Sequence, residues 1–328
     1  MFRVRCLSLL CVLAACTGPD TDPALEPDPL PSWNQGVARR SIIDFVDAVT
    51  KPDGESYVAP MDRIAVFDND GTLIIERPML VQFAFIYDRV QSMADENPEW
   101  SDTQPFKAVI EGDLKMLEEM GFAKRRNLMT AAQANITQDE FHELATVFLR
   151  DGRHPRFDRP YTTLIYQPMV ELIRYLHQNA FKVFIVSGGG IEFIRTLSDH
   201  AYDIPRDRVI GSSLKYDFKD QDGRSVIFRK PGFNSINAGR FKPINIQLHI
   251  GRRPILAVGN SNGDIQMLEF TDDHSRDALV LLVHHDDPQR EYEYSDESTR
   301  VRELAEERGW QTVSISRDYK TLFPEAVR

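Results

Sequence analysis

Apolar residues recur along this chain in two patterns, one with a helical period and one of short continuous runs. From residue 38 onward, the short runs are rich in β-branched residues and predict strands at Arg63–Phe67, Phe181–Val186, Arg208–Ser212, Pro254–Val258 and Ala278–Val283. The helical period predicts helices at Ala38–Val49, Pro168–Gln178, Ile191–Asp199, Ile244–Ile250, Asp264–Phe270 and Glu297–Arg308. Because strands and helices alternate, we expect an α/β fold with a mainly parallel sheet and helices on both faces.

Residues 77–160 interrupt this alternation with a block that is almost wholly helical. Its apolar spacing predicts helices at Leu80–Met93, Phe106–Met120, Lys124–Ala134 and Asp139–Arg150. Thr137 and Glu140 have the spacing of a capping box for the last of these helices. We expect this block to be an α-helical cap inserted between the first strand and the rest of the sheet. A turn at Asp222-Gly223 predicts a hairpin of Leu214–Phe218 with Ser225–Phe228.

The first 36 residues have a different composition. Two arginines precede the ten-residue apolar run Cys6–Ala15, which is too short to span a bilayer and indicates a signal peptide over residues 1–15. Residues 13–16, Leu-Ala-Ala-Cys, resemble the lipobox of bacterial lipoproteins. That resemblance implies cleavage before Cys16 and lipidation of its thiol; ordinary secretion, with cleavage after a small residue, is the alternative. Prolines and acidic residues predict an extended tether over 16–36.

These features predict a bacterial cell-envelope protein, lipid-anchored in the outer membrane and facing the periplasm, with residues 37–328 as one folded domain. All three cysteines lie in the first sixteen residues, so no disulfide is expected within the mature chain. The chain has 328 residues, of which 42% are hydrophobic and 27% charged, as in ordinary globular proteins. A net charge of −11 argues against a broad basic surface for nucleic acid.

The most informative polar residues follow the strand Arg63–Phe67. Asp68 and Asp70 stand where this strand ends, and Gly71 allows a sharp turn directly after them. Ligand sites in open α/β sheets lie at the carboxyl ends of strands, and carboxylates there suit a hard cation. An aspartate can also attack phosphorus. A polar turn is the alternative, whereas a calcium loop is excluded because Val66 and Arg77 would occupy ligand positions.

Three other polar segments follow predicted strands or precede a helix. Ser187-Gly188-Gly189-Gly190 offers a hydroxyl and backbone amides to an anion, or is a glycine-rich connection without a ligand. Residues 259–264, Gly-Asn-Ser-Asn-Gly-Asp, offer amide and carboxylate oxygens to a metal, or form a turn with a helix cap. Lys242 stands just before a helix, and Lys230 is its rival. His284-His285-Asp286-Asp287 is interpreted as a polar loop, with a transition-metal site as the alternative.

The order Asp-x-Asp-Gly-Thr, Ser-Gly-Gly, Lys, Gly-Asn-x-x-Gly-Asp resembles the four motifs of the haloacid dehalogenase superfamily, in particular its phosphoserine-phosphatase-like branch. The resemblance covers about residues 60–285 and implies a Rossmann-like sheet, a helical cap and a Mg²⁺ cofactor. It implies that Asp68 is the nucleophile and Asp70 the general acid and base. It also implies that Ser187, Gly188 and Lys242 bind the phosphoryl group.

The implied metal ligands are Asp68, the Asp70 carbonyl and Asn260, with Asp264 binding through water. Asn260 departs from the family, which usually has aspartate there, so we expect weaker metal binding. Glu76 lies one residue earlier than the glutamate that binds the substrate amine in phosphoserine phosphatases, and the resemblance assigns that role to Glu76. Asp70 argues against dehalogenation, because the dehalogenases of the family lack this aspartate.

The resulting expectation is an exported, Mg²⁺-dependent phosphatase of small phosphomonoesters, with no nucleic-acid partner and membrane contact only through the N-terminal lipid. Export favours scavenging over biosynthesis. Three alternatives stay open: phosphoserine phosphatase proper, a phosphotransferase, and a phosphate-ester-binding lipoprotein with weak or no catalysis.

Overall fold

The central sheet is mainly parallel, which confirms the predicted fold class. The computed structural model describes residues 28–325, and within them seven strands form one sheet in the order β4-β3-β2-β1-β5-β6-β7. All neighbouring pairs are parallel except β3 and β4, which are antiparallel. The strands are β1 (Ile64–Phe67), β2 (Lys182–Gly190), β3 (Val209–Gln221), β4 (Arg224–Ser235), β5 (Leu256–Gly259), β6 (Leu279–His284) and β7 (Gln311–Ser314).

Helices cover both faces of this sheet, and each face has its own apolar core. Alternate residues of β1 separate between the two cores: Ala65 and Phe67 join one, and Ile64 and Val66 join the other. This is the expected consequence of side chains that alternate across a strand. The described helices are α1 (Val37–Thr50), α2 (Val81–Ser92), α3 (Phe106–Glu111), α4 (Leu114–Glu119), α5 (Gly121–Gln133), α6 (Gln138–Asp151), α7 (Gln167–Gln178), α8 (Ile191–Tyr202), α9 (Phe241–His249), α10 (Ile265–Asp272), α11 (Thr299–Arg308) and α12 (Ile315–Asp318).

Helices α2 to α6 follow β1 and lie within the range predicted for the cap. Thr137 begins α6 with a capping box: its hydroxyl accepts from the Glu140 N–H, and the Glu140 carboxylate accepts from the Thr137 N–H. The cap also contacts the β3–β4 hairpin, because the Arg229 and Asn135 backbones of the two parts are hydrogen-bonded. The cap is therefore tied to the sheet edge as well as to β1.

Several predicted boundaries are wrong, and strands β2 and β4 continue past their predicted ends at Val186 and Phe228. The single helix predicted at Phe106–Met120 is two helices, because Gly112 adopts a left-handed conformation (φ = 72°) that ends α3. The two strands predicted at Arg208–Ser212 and Leu214–Phe218 are one long strand, β3, whose first half pairs with β2 and whose second half pairs with β4. The hairpin turn at Asp222-Gly223 is confirmed.

The prediction of a tether up to residue 36 is wrong for residues 28–36, which belong to the folded domain. Leu30 and Trp33 are buried, and the Trp33 indole N–H donates to the Pro168 carbonyl at 2.9 Å. The Ser32 N–H donates to the Glu171 carboxylate at 2.8 Å. Two apolar side chains among the prolines were enough to anchor this segment. The signal peptide, Cys16 and the rest of the predicted tether lie outside the described residues.

Candidate active site

The polar segments singled out in the sequence meet at one edge of the sheet. Asp68 directly follows β1, Ser187 lies near the end of β2, and Asn260 directly follows β5. Because β2, β1 and β5 are adjacent and parallel, their carboxyl ends are neighbours. Lys242, the second residue of α9, reaches the same edge from one face. Lys230 lies on β4, where it is half-exposed near Asp217, so it is not part of this cluster.

A buried ion cluster forms the centre of the site. The Lys242 ammonium donates to Asp68 Oδ1 at 2.7 Å and to Asp264 Oδ1 at 2.5 Å, and all three residues are buried. Burial opposes the charge on Lys242, but the two carboxylates raise its pKa well above the ordinary value. Burial and the Asp264 charge raise the pKa of Asp68, while Lys242 opposes that rise. The ammonium therefore holds Asp68 in place and only partly compensates its charge.

Asp264 organises the turn after β5. Its Oδ2 accepts hydrogen bonds from the Asn260 N–H at 3.1 Å and from the Ser261 N–H at 3.0 Å. A Cβ atom at Gly259 would lie 2.7 Å from the Asp264 side chain, so glycine is needed for this close approach. Asp264 thus binds both Lys242 and the turn that presents Asn260. Its predicted metal contact through water stays a prediction.

Asp70 faces the glycine-rich segment at the end of β2. A Cβ atom built on Gly189 would lie 3.5 Å from Asp70 Oδ2 and 3.3 Å from Ser187 Oγ, so both side chains lie close to the same side of this glycine. Burial raises the pKa of Asp70, which favours the protonated form that a general acid needs. Gly188 lies next to Ala238 and Asn237, and its carbonyl accepts from Ser212 Oγ.

Gly71 allows the closest approach in the site. It has φ = 71°, and a Cβ atom there would collide with Asn260 Nδ2 and with the Glu76 carboxylate. Asn260 Nδ2 donates to Glu76 Oε1 at 2.8 Å, and Asn260 Oδ1 accepts from the Thr72 hydroxyl at 3.2 Å. Burial, opposed by the nearby His285, raises the pKa of Glu76 to about 7. Glu76 is therefore placed against the predicted metal ligand Asn260.

The donor set fits a hard divalent cation. Asp68, Asp70, Asp264 and Glu76 bring four acidic groups to the site, whereas Lys242 is the one basic side chain hydrogen-bonded to these acids in the described chain. A bound dication would supply the missing positive charge, and carboxylate, carbonyl and amide oxygens are the ligands Mg²⁺ takes. Within residues 28–325 no group of three or more His, Cys, Asp or Glu side chains is arranged to hold a metal ion. The predicted ligand set relies in part on the Asp70 backbone carbonyl and the Asn260 amide.

Several contributing residues were not assigned a role from the sequence. Gln82, on cap helix α2, accepts from the Gly190 N–H at 2.7 Å, and Asn237 donates to the Ser187 carbonyl at 2.9 Å. Thr72 was part of the first motif, but nothing in its spacing indicated the contact with Asn260. His285 was part of the predicted polar loop; it is buried and bonds to the Gly71 carbonyl at 2.8 Å instead of facing solvent.

A groove of about 1110 Å³ lies between the cap and strand β4 at the edge of the sheet. Arg126, Asn127 and Thr130 line it from α5, and Phe233 lines it from β4. Phe241, the residue before Lys242, forms another part of its wall. The groove is thus lined by the cap, by β4 and by the first residue of α9, whereas Asp68, Lys242 and Asp264 are not among its lining residues.

Comparison with known proteins agrees with this geometry. The model of the haloacid dehalogenase-like hydrolase family matches residues 65–269. A comparison with curated proteins finds no match. Among the described helices, none combines the length and the apolar character that crossing a bilayer requires.

Solved structures share the fold at low sequence identity. A conserved protein of unknown function from Anaerococcus prevotii DSM 20548 is 17% identical, with a TM-score of 0.57, and the match covers 89% of this chain and 97% of that one. A protein of unknown function from Bordetella pertussis Tohama I is 16% identical, with a TM-score of 0.50, over 76% of this chain and 97% of that one. The family match spans more than half of the chain, and the protein is an enzyme of the haloacid dehalogenase-like hydrolase family.

Proposed function

We propose that this protein is an exported, Mg²⁺-dependent phosphomonoesterase that hydrolyses small phosphorylated metabolites through an aspartyl-phosphate on Asp68. The observation that carries the proposal is the pairing of two aspartates in distinct environments. Asp68 is buried and held by Lys242. Asp70 lies near Ser187 at the glycine-rich end of β2, and the hydrogen bonds of the Lys242 ammonium go to Asp68 and Asp264 instead. A nucleophile and a separate proton donor are the two groups that such a hydrolysis requires.

In the first step an Asp68 carboxylate oxygen attacks phosphorus, and the bond from phosphorus to the leaving oxygen breaks. Asp70 gives its proton to that oxygen, so the alcohol leaves neutral. Lys242, Ser187 and the Gly188 amide would hold the phosphoryl oxygens and stabilise their charge. Lys242 is already hydrogen-bonded to Asp68, so its positive charge would be in position before the phosphoryl group binds.

In the second step Asp70, now a carboxylate, takes a proton from water as the water attacks phosphorus. The bond between phosphorus and Asp68 breaks, inorganic phosphate leaves, and both aspartates return to their starting states. The Asp68 carboxylate, the Asp70 carbonyl and Asn260 would hold Mg²⁺, which would neutralise charge on Asp68 and the phosphoryl oxygens.

The test is phosphate release from p-nitrophenyl phosphate and from phosphoserine, with and without Mg²⁺. Asp68→Asn should lower kcat by about three orders of magnitude or more, because an amide is a poor nucleophile. Asp199→Asn is the matched control, since Asp199 is an exposed aspartate of α8. Full activity in Asp68→Asn would refute the nucleophile, and Mg²⁺-independent turnover would refute the cofactor.

A phosphate-ester-binding protein without catalysis is the second candidate, and Asn260 is the observation that favours it. The amide carries no charge, and its Nδ2 is engaged by Glu76. Tight binding of phosphate esters without release of phosphate, under several divalent metals, would favour this candidate. The hydrogen bond from Asn260 to Glu76 also weakens the case for phosphoserine phosphatase proper. It occupies one carboxylate oxygen of the residue that is predicted to bind the substrate amine. Transfer of the phosphoryl group to an added alcohol would identify a phosphotransferase.

The proposed location rests on the first sixteen residues. Lipidation of Cys16 would anchor the enzyme to the outer membrane, facing the periplasm, where it would act on exported or external phosphomonoesters. Labelling of the full chain with a fatty-acid analogue should mark the wild type and not Cys16→Ser. If neither the wild type nor Cys16→Ser is labelled, and the secreted product begins before residue 16, the result would favour ordinary secretion.

A further inference from the structure

His285 lies directly beneath the loop that carries Asp68 and Asp70. It follows the last residue of β6 and is 2% exposed. Its Nε2 lies 2.8 Å from the Gly71 carbonyl oxygen, and its Nδ1 lies 2.7 Å from Glu291 Oε1. The ring stacks on Tyr294 at 4.4 Å between centroids, nearly parallel. The imidazole is thus fixed on its two polar edges and on one face.

Both hydrogen-bond partners of His285 are acceptors. A backbone carbonyl has no proton to donate, and the Glu291 carboxylate already accepts from the Tyr166 hydroxyl at 2.7 Å through its other oxygen. To satisfy both partners, the ring must donate from both nitrogens, which only the imidazolium can do. Burial alone favours the neutral ring, but Glu291 raises the pKa of His285 above its ordinary value.

The carbonyl that His285 binds belongs to the most flexible residue of the catalytic loop. Gly71 has φ = 71°, a conformation that glycine reaches easily and also leaves easily. Its N–H donates to the Ile74 carbonyl at 2.8 Å, and its carbonyl accepts from His285. These two bonds fix both peptide planes of Gly71. The plane that carries the Asp70 carbonyl is held by the bond to Ile74, and the next plane is held by His285, so the two bonds together restrict rotation about the Gly71 backbone between them. Asn260 and Glu76 lie against the glycine itself.

We propose that His285, held as an imidazolium by Glu291, is a positioning residue that fixes Gly71 and thereby aims Asp70 and the Asp70 carbonyl. This inference rests on the proposed function. His285 touches neither substrate nor a reacting atom, so it acts through the loop. In comparable metal sites, loss of a hydrogen bond that orients a functional group without touching the reacting atoms changes activity by about ten- to a hundredfold.

The experiment compares His285→Gln with His154→Gln. His154 is equally buried, and its Nε2 lies 2.7 Å from a backbone carbonyl, that of Arg77. Its Nδ1 accepts from the Arg156 N–H, so it is a neutral ring outside the Asp68–Gly71 loop. His285→Gln should lower kcat about tenfold or more and leave KM within about twofold. His154→Gln should leave both within about twofold while lowering stability similarly.

Unchanged kcat in His285→Gln, with the same loss of stability as His154→Gln, would overturn the positioning role. Should His285→Gln not fold, Glu291→Gln removes the charge and one of the two acceptor oxygens that bind Tyr166 and His285, and it should lower kcat in the same direction. In the wild type, ¹⁵N NMR of the histidine rings at about pH 7.5 should show both nitrogens of His285 protonated, where an unshifted ring is mainly neutral. A neutral His285 would sink the inference even in an active enzyme, whereas an inactive wild type with a doubly protonated ring would sink only the proposed phosphatase.

Discussion

Lys242 determines the electrostatics of the site, because it is the single ammonium between two buried carboxylates. Asp68 and Asp264 each bond to it, and neither is open to bulk water. The attraction between Lys242 and these two carboxylates offsets the large free-energy cost of removing the three charges from water. The cluster is therefore more informative about function than about stability. Two carboxylates that share one ammonium leave a net negative charge at the place where a phosphoryl group and a metal would meet.

Replacing Lys242 with methionine should therefore destabilise the fold as well as stop catalysis. Asp68 and Asp264 would stay buried without a partner, and loss of one member of a buried ion pair costs about 3–5 kcal/mol. Urea unfolding measures this loss. Lys230→Met is the control, since its contact with Asp217 is long and half-exposed and is worth less than about 1 kcal/mol. Equal effects of the two substitutions would contradict the buried cluster.

The pair of His285 and Glu291 should give stability a distinct pH dependence. Because the folded-state pKa of His285 lies above the unfolded value, its contribution is complete below about pH 6.5 and is lost as pH rises through the folded pKa. Glu291→Gln removes the charge that raises this pKa, although Glu76 and Tyr294 still lie near the ring. The stability gap between wild type and Glu291→Gln, from urea midpoints, should be largest in mild acid and shrink above neutrality. A gap that widens with pH would be inconsistent with the imidazolium.

The sequence revealed those site residues that lie in short motifs at strand ends. Asp68, Asp70, Ser187 and Asn260 each follow an apolar run, so their meeting at one sheet edge could be predicted. His285 and Gln82 could not be found in this way. Their hydrogen-bond partners lie 214 and 108 positions away in the chain. A local sequence pattern cannot indicate such contacts, because they depend on how the cap and the last loop pack.

At the scale of elements, the connection between cap and sheet depends on Arg229 of β4. It is 3% exposed, and its Nε donates to the Gln133 carbonyl while its Nη1 donates to Gln138 Oε1, both at 2.8 Å. Its guanidinium lies 3.7 Å from the centre of the Phe141 ring. One side chain thus binds the end of α5 and both the start and the inner face of α6.

Arg229→Met should loosen the cap without unfolding the sheet. The methionine keeps much of the apolar volume but leaves the Gln133 carbonyl and the Gln138 amide without their donor, which costs about 1–3 kcal/mol locally. Hydrogen exchange should speed up in α5 and α6 and stay unchanged in β1 and β5. Arg224→Met, at an exposed position of the same strand, is the matched control. Faster exchange throughout the sheet would show that Arg229 supports the whole fold and not the cap alone.

Which elements the sequence could predict depended on the strength of the local pattern. Long amphipathic helices such as α1 and α7 were placed within one residue of their observed ends, because each has a continuous apolar face. Strand β7, Gln311–Ser314, was missed because two of its four residues are polar and partly exposed. The break at Gly112 was missed because a glycine inside a helical pattern does not reveal whether the helix continues or ends there.

At the scale of the whole molecule, residues 28–36 act as a strap across the domain. Trp33 packs edge-on against Tyr319 at 5.2 Å between ring centres, and the Asn34 N–H donates to the Asp318 carbonyl. The strap joins the start of the described chain to α7 and to the segment after β7. The folded domain therefore includes residues 28–36, and the predicted tether would have to end at or before residue 27.

This strap predicts a sharp limit for truncation. A chain that begins at residue 28 keeps every contact of Leu30 and Trp33, so its melting temperature and phosphatase activity should equal those of the longer chain. A chain that begins at residue 37 loses both buried side chains and leaves the buried Glu171 without the Ser32 N–H. Its melting temperature should fall by several degrees or more, since 1 kcal/mol corresponds to about 2–4 °C in domains of roughly this size.

Trp33→Ala in the chain that begins at residue 28 separates side-chain packing from the loss of backbone. Removal of a buried tryptophan costs about 3–5 kcal/mol, so this variant should account for much of the difference between the two truncations. Calorimetry of all three proteins in the same buffer makes the comparison. The indole N–H of Trp33 binds Pro168 and its ring packs on Tyr319, and neither belongs to the proposed catalytic residues, so the kcat of folded Trp33→Ala should match that of the parent. Identical melting temperatures for the chains that begin at residues 28 and 37 would place residues 28–36 outside the cooperative unit and return them to the tether.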